Sequence, residues 1–193
     1  MDQNKLEKIE NIDVQKLALL KFGGEILVVD SMKKFNSVAP LLSLENMFGF
    51  DTETRPSFKK GQNNKVSLLQ ISTNEKAYLF RLNLIGIPPG LIKILSNSNI
   101  KKIGLALNDD LKQIKRIVKF SPNGFIDLQK LAGLNGIGEL GLRKMAAIVL
   151  KGRISKSEQL SNWEKDILSD KQQKYAATDA WACLAIFQKL QNK

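Results

Sequence analysis

Five side chains have the types and spacing for chemistry: Asp51, Glu53, Asp110, Tyr175 and Asp179. Asp51 and Glu53 close the run Phe48-Gly-Phe-Asp-Thr-Glu53, at the end of an apolar stretch. On a strand, residues i and i+2 share a face, so the two carboxylates point the same way. Side by side they repel, and each raises the other's pKa unless a cation lies between them. A hard divalent metal with oxygen ligands supplies that cation. An ordinary strand end entering a polar loop produces the same pattern, and the motif alone leaves both readings open.

Asn108-Asp-Asp110 stands where a strand gives way to a helix. Asp at a helix start caps free N–H groups and meets the positive end of the dipole, worth about 0.5–2 kcal/mol. Metal ligation is the other explanation, and one Asp can cap while its neighbour binds. Helical phase puts Asp110 one turn before Ile114, bordering the buried face, and turns Asp109 outward. Asp110 is therefore the expected ligand, with Asp109 as the fallback. In Tyr175-Ala-Ala-Thr-Asp179 the phenol and the carboxylate fall one helical turn apart on one face. Ala176, Ala177 and Ala180 let another element approach that face closely. A surface Tyr–Asp pair on an amphipathic helix is the alternative.

Composition narrows the chemistry further. The 193 residues include no histidine, which excludes Ser-His-Asp and Cys-His catalysis and His-ligated zinc. Cys183 is the one cysteine, so there is no intramolecular disulfide and no CxxC metal knuckle. It reads as a small buried apolar residue. Thirty Lys and Arg against 19 Asp and Glu give a net charge of +11, most of it after residue 100. A chain this basic attracts polyanions such as nucleic acid. Candidate phosphate contacts are Arg55, Lys59 and Lys60 in the polar loop after the first acidic pair, and Arg143, Lys144, Lys151, Arg153 and Lys156 near residues 151–163. Phe58 or Trp163 could stack on a base, although for Trp163 the favoured reading is packing of the connector onto the body.

These side chains need a scaffold. Residues 1–20 read as a marginal helix or arm, and residues 21–193 as a single domain. Strands are expected at 25–30, 46–52, 66–72, 76–82, 102–107 and 124–127, with a hairpin turn at 73–75. Helices are expected at 35–44, from 91 to 95, at 110–118, at 138–150 and at 168–190, the last capped by Ser169 with Asp170 in its first turn. Strands that include a hairpin and then alternate with helices predict an α/β fold, a mixed sheet with helices on both faces. No apolar run approaches the roughly 20 residues that a membrane span needs. The N-terminus has no apolar signal region. The expectation is a cytoplasmic protein with no membrane partner.

Phe-Asp-Thr-Glu, then Gly104 with Asp110 six residues on, then Tyr-Ala-Ala-Thr-Asp resembles the three motifs of the DEDDy 3′–5′ exonucleases, in particular the Werner-syndrome-type exonuclease domain and its relative RNase D. Lys65-Val-Ser-Leu-Leu-Gln-Ile, Lys76-Ala-Tyr-Leu-Phe, Lys101-Lys-Ile-Gly, Phe125-Ile-Asp-Leu and Ser161-Asn-Trp163 fall in the matching order. The similarity runs from about residue 22 to 190. It implies a ribonuclease H-like three-layer fold with a five- or six-stranded mixed sheet. It implies two divalent cations, Mg²⁺ or Mn²⁺, held by Asp51, Glu53, Asp110 and Asp179. It implies that Tyr175 orients the attacking water, that Glu53 touches the terminal 3′ hydroxyl, and that the product is a nucleoside 5′-monophosphate from DNA or RNA.

RNase D carries helical nucleic-acid-binding domains after its nuclease domain, and Werner-type proteins fuse theirs to a helicase. The expectation here is a stand-alone nuclease domain with a weak grip on substrate, which a homo-oligomer or a helicase partner would strengthen. Two other readings compete: an inactive nucleic-acid-binding module of the same fold, and a two-metal small-molecule phosphoesterase. The presence of all four carboxylates and Tyr175 argues against the first, and the basic charge against the second.

Overall fold

A computed structural model describes residues 7–57 and 64–191. Lys59 and Lys60, two of the expected phosphate contacts, and Phe58 lie outside the described residues.

The chain builds one six-stranded sheet. Its strands are β1 (Glu25–Val29), β2 (Met47–Thr54), β3 (Val66–Ser72), β4 (Lys76–Arg81), β5 (Lys101–Gly104) and β6 (Phe125–Asp127), in spatial order β1-β4-β3-β2-β5-β6. The β2–β3–β4 meander is antiparallel; β1, β5 and β6 join in parallel. β3 is buried along its whole length, as a strand covered on both faces must be.

One face carries α2 (Met32–Leu42), α4 (Pro89–Ser96) and α5 (Leu107–Ile117), packed on Phe48, Phe50, Ile71 and Phe80. The other face carries α7 (Leu142–Leu150) and the 22-residue α8 (Asp170–Gln191). Side chains on this second face are small where α8 passes. A Cβ added at Gly49 would stand 1.8 Å from the carbonyl oxygen of Ala180. Ser72, directly across from Gly49, and Ala77, across from Ser72, continue the shallow trough. α8 meets it with Ala176, Ala177 and Ala180, all fully buried.

α8 starts with a reciprocal cap: Gln172 N–H donates to the Ser169 hydroxyl at 3.2 Å, and Ser169 N–H donates to the Gln172 side-chain oxygen at 3.1 Å. The expected Ser169 cap is thus present, completed by Gln172.

Several boundaries differ from the sequence expectation, each for a tertiary reason. The strand expected to reach residue 107 ends at Gly104, because Ala106 takes a left-handed conformation (φ 55°) that turns the chain into α5. α5 therefore starts at Leu107 and contains both Asp109 and Asp110 in its first turn. Neither of them is its cap. The Asp127 carboxylate takes that role, accepting from the N–H groups of Ala106 and Leu107 at 3.1 and 3.0 Å. The same carboxylate accepts from Gln129 N–H at 2.9 Å and so starts α6 (Leu128–Leu134), a helix the sequence reading did not anticipate. α7 begins at Leu142 rather than 138, and α2 runs three residues earlier than expected at its start. A short α3 (Leu82–Ile85) follows β4.

The N-terminal segment is tied down. Its helix α1 (Asn11–Lys16) buries Val14. Leu19 bridges Arg153, and Phe22 is clasped on both backbone groups: its N–H donates to the Thr178 hydroxyl at 3.0 Å and its carbonyl accepts from Lys174 at 3.0 Å. Among the described residues, no helix is long and apolar enough to cross a membrane.

Candidate active site

β2 positions the first two carboxylates. It is paired with β3 from Gly49 to Thr54 but with β5 only from Met47 to Gly49. Its last five residues therefore have one unpaired edge. Asp51 and Glu53 lie on the face covered by α8, as the i, i+2 spacing requires, and Asp179 comes down from the middle of α8. One oxygen from each of the three carboxylates lies within 4.8 Å of the others. Asp110 approaches from the first turn of α5, where Thr52, the residue between the pair, donates its hydroxyl to Asp110 Oδ1. Asp109 is exposed and faces away, lining a polar cavity with Arg55, Lys112 and Arg116.

The electrostatics follow from this convergence. Burial, then the charges of Asp179 and Asp110, hold the Asp51 carboxyl well above the usual range. Burial together with Asp51, Asp179 and Asp110 pushes Glu53 up to about 9. Burial raises Asp110 to about 6, against the opposing bond from Thr52. Burial raises Asp179 to about 7, eased by a hydrogen bond from the Tyr175 phenol. That phenol is itself pushed upward by burial and by Asp179 and Glu53, so it stays protonated. Three converging carboxylates, with Asp110 outside the cluster on the Thr52 hydroxyl but near enough to raise Asp51 and Glu53, are a site short of positive charge.

The residues fit a hard divalent cation. All the donors are carboxylate oxygens, and three of them converge. Asp179 is 7% exposed, and its Oδ1 is buried with no hydrogen-bond partner among the described residues. Such an atom is costly unless something coordinates it. Cys183 lies nearby, but burial pushes its thiol up, which keeps it a poor ligand.

The carboxylates open onto a cleft of about 460 Å³. Arg143, Lys144 and Lys156 line it, as the basic candidates should, and so do Asn11 and Gln159, which the sequence did not single out. Asn11 reaches the cleft only because the N-terminal segment wraps back over the body, for which no local signal exists. Four of the basic candidates, Lys144 among them, are engaged within the fold. Arg55 pairs with Glu164 at 3.4 Å. Lys144 pairs with Glu139 at 3.0 Å. Lys151 pairs with Glu7 at 3.7 Å, and Arg153 donates to the Leu17 carbonyl at 3.1 Å, so these two hold the N-terminal segment. Trp163 is a correction: it is 0% exposed and packs against the Tyr175 ring, so it cannot offer a face to a base.

Comparison with known proteins identifies the family and the fold. A family described as 3′-5′ exonuclease matches residues 27–193. The mouse bifunctional 3′-5′ exonuclease/ATP-dependent helicase WRN is 33% identical over 192 residues, covering 91% of this chain but 13% of that protein. Ribonuclease D of Haemophilus influenzae is 31% identical over 130 residues, covering 67% of this chain and 33% of its own length. This chain thus spans a minor part of both relatives. Among solved structures, the EXO domain of Aedes aegypti Nibbler superposes with a TM-score of 0.79 at 25% identity, covering 87% of this chain and 88% of that domain. The architecture is the expected ribonuclease H-like α/β fold, and the chain belongs to the 3′-5′ exonuclease family.

Proposed function

We propose that this protein hydrolyses the terminal phosphodiester at the 3′ end of DNA or RNA and releases nucleoside 5′-monophosphates. The observation that carries the reading is the convergence of Asp51, Glu53 and Asp179 within 4.8 Å, with the Tyr175 side chain lining the same cleft. Two divalent cations, Mg²⁺ or Mn²⁺, held by Asp51, Glu53, Asp110 and Asp179 would supply a more acidic water and a clamp on the phosphate charge.

The chain's own residues do the rest. The protonated Tyr175 hydroxyl orients the attacking water by hydrogen bonding and takes no proton from it. Glu53, near the strand end and open to the cleft, is placed to meet the 3′ hydroxyl, which restricts attack to chain ends. Arg143 and Lys156 on the cleft wall attract the phosphates behind the scissile bond. Burial of Asp179, and partial burial of the other carboxylates, limits competing water at their charges.

A gel time course tests this. It uses 5′-labelled single-stranded DNA, 3′-recessed DNA and matched RNA, with Mg²⁺, Mn²⁺ or EDTA, beside Asp51→Ala. A cation-dependent ladder shortening from the 3′ end, absent in the variant, supports the reading. Cation-independent cleavage, or full activity in Asp51→Ala, overturns it. Binding without cleavage on every substrate shifts the assignment to a nucleic-acid-binding module.

A further inference from the structure

Gln70 occupies the middle of β3 with 0% of its surface exposed. Neither its amide nitrogen nor its amide oxygen has a hydrogen-bond partner among the described residues. An unpaired buried amide lowers stability, and an apolar side chain of the same shape would serve the core better. The neighbours on the same face show this: Leu68, two residues earlier, and Leu79, directly across on β4, are both fully buried leucines. β3 lies between β2 and β4, so its two edges are spent on the sheet ladder and leave no backbone group free for a side chain on this face.

The register explains what the amide stands next to. Gln70 is paired directly with Asp51. Residues opposite one another on antiparallel strands project from the same face, with Cβ atoms about 4.5–5.5 Å apart. Both therefore lie under α8, whose Asp179 Oδ1 is a further buried atom without a partner. Three of the orphaned polar atoms, two on Gln70 and one on Asp179, thus belong to this face, where a cation-loaded site needs donors for the ligand oxygens that the cation does not take. Outer partners of this kind fix the orientation of ligating carboxylates.

We infer that Gln70 is a positioning residue of the cation site: when the cation is bound, its carboxamide N–H, unpaired in the cation-free protein, donates to the Asp51 carboxylate and holds it in its ligating orientation. The inference rests on the reading of Asp51 as a cation ligand. Its cost appears in the unloaded protein and its benefit in the loaded one, so the two are separable.

The test is Gln70→Met, which keeps length and volume but has no amide, beside Gln70→Asn, which withdraws the amide by one methylene. Thermal melting in EDTA reads the fold, and Mn²⁺ titration followed by electron paramagnetic resonance reads the site without turnover. Gln70→Met is expected to melt in EDTA at or above the wild-type temperature while binding Mn²⁺ about 10- to 100-fold more weakly. Gln70→Asn is expected to bind Mn²⁺ weakly too. Wild-type Mn²⁺ affinity in Gln70→Met overturns the inference, as does a lower melting temperature or failure to fold in EDTA, which would make Gln70 an ordinary structural residue. Wild-type protein that binds no Mn²⁺ would remove the cation site itself, a failure distinct from either.

Discussion

The Trp163 indole packs against the Tyr175 phenol ring, with centroids 6.0 Å apart and planes tilted by 40°. Trp163 is held in turn by a connector that is pinned to the sheet. The buried Arg81 donates to the carbonyls of Lys165 and Asp166, and Ser67 donates to Glu164 at 3.0 Å. The orientation of the phenol is thus set from behind by β3 and β4. Trp163→Phe keeps an aromatic but leaves a gap, and it is expected to slow turnover several-fold with unchanged Mn²⁺ affinity. Tyr175→Phe is expected to slow it about 100-fold, within the range of a positioned acid–base or water-orienting group. Single-turnover rates with parallel Mn²⁺ titrations check both. Equal rates in wild type and Tyr175→Phe would remove the phenol from the mechanism.

Gly49→Ala places a Cβ 1.8 Å from a backbone oxygen of α8, a clash that no side-chain rotation relieves. Overpacking costs about 1–3 kcal/mol, and a forced helix shift puts this case at the upper end. Because Ala180 follows Asp179, the shift also displaces a carboxylate. The variant is expected to lose both urea resistance and nuclease activity. Unfolding curves that overlay the wild type would contradict the close approach.

The raised carboxylates set the pH dependence of the cation-free protein. In the fold, Asp110 titrates at about 6, Asp179 at about 7 and Glu53 at about 9. In the unfolded chain such groups titrate near ~4. The folded state therefore holds more protons from about pH 4 upward, and this contribution to stability declines from there and is fully lost only above the Glu53 value of about 9. A divalent cation replaces those protons. The rise in melting temperature on adding Mg²⁺ or Mn²⁺ should be small at pH 5.5 and largest near pH 9. Thermal melts with cation and with EDTA across that range measure it. A cation effect that shrank with rising pH would count against the carboxylate site.

Asp51→Asn and Asp179→Asn each remove a charge from the crowded pocket. Both variants are expected to lose cleavage while melting, without cation, at or above the wild-type temperature at pH 8. Circular dichroism and a gel assay decide the matter together, and retained cleavage in either variant would displace it from the site.

Strand binding should fall steeply with salt, because Lys and Arg contacts to phosphate release counterions. Arg143→Ala and Lys156→Ala should each reduce the slope of log affinity against log salt by about 1. Lys151→Ala, whose ammonium faces Glu7, should leave it unchanged. Fluorescence anisotropy in EDTA with a labelled 20-mer reads binding apart from cleavage.

Much of the site could be read from local periodicity. Asp51 and Glu53 share a face by strand geometry, and Tyr175 and Asp179 by helix geometry. Asp110 followed from its phase against Ile114, and the β3–β4 hairpin from its turn residues. Much of what escaped depends on residues distant in the chain. α6 has a local signal, the Asp127 cap before Leu128, Leu131 and Ala132, masked by its brevity and by the strand that ends at the same Asp127; only the second duty of that carboxylate, on the start of α5, depends on distant residues. Lys102 belongs to a strand by pattern, yet it is fully buried and donates to the Asn97 carbonyl at 2.6 Å, with burial lowering its pKa to about 8. Trp163 is fully enclosed, as the packing reading of the connector expects, and its contact with the Tyr175 ring joins residues 12 positions apart. Asn11 joins the cleft through the path of a segment whose sequence suggests only a marginal helix.

α8 is the last described element in the chain, yet it lies against β2, β3, β4 and β5. The bond from Phe22 N–H to Thr178 spans 156 residues. On the ribosome, every strand emerges before the helix that covers them. Until then the nascent sheet presents a bare apolar trough, a surface suited to a chaperone and prone to aggregation. It also lacks Tyr175 and Asp179, so a polypeptide abandoned during translation would be catalytically silent. The order of synthesis acts as a safety catch: the described element that completes the acidic cluster is translated after every strand that carries the rest of it.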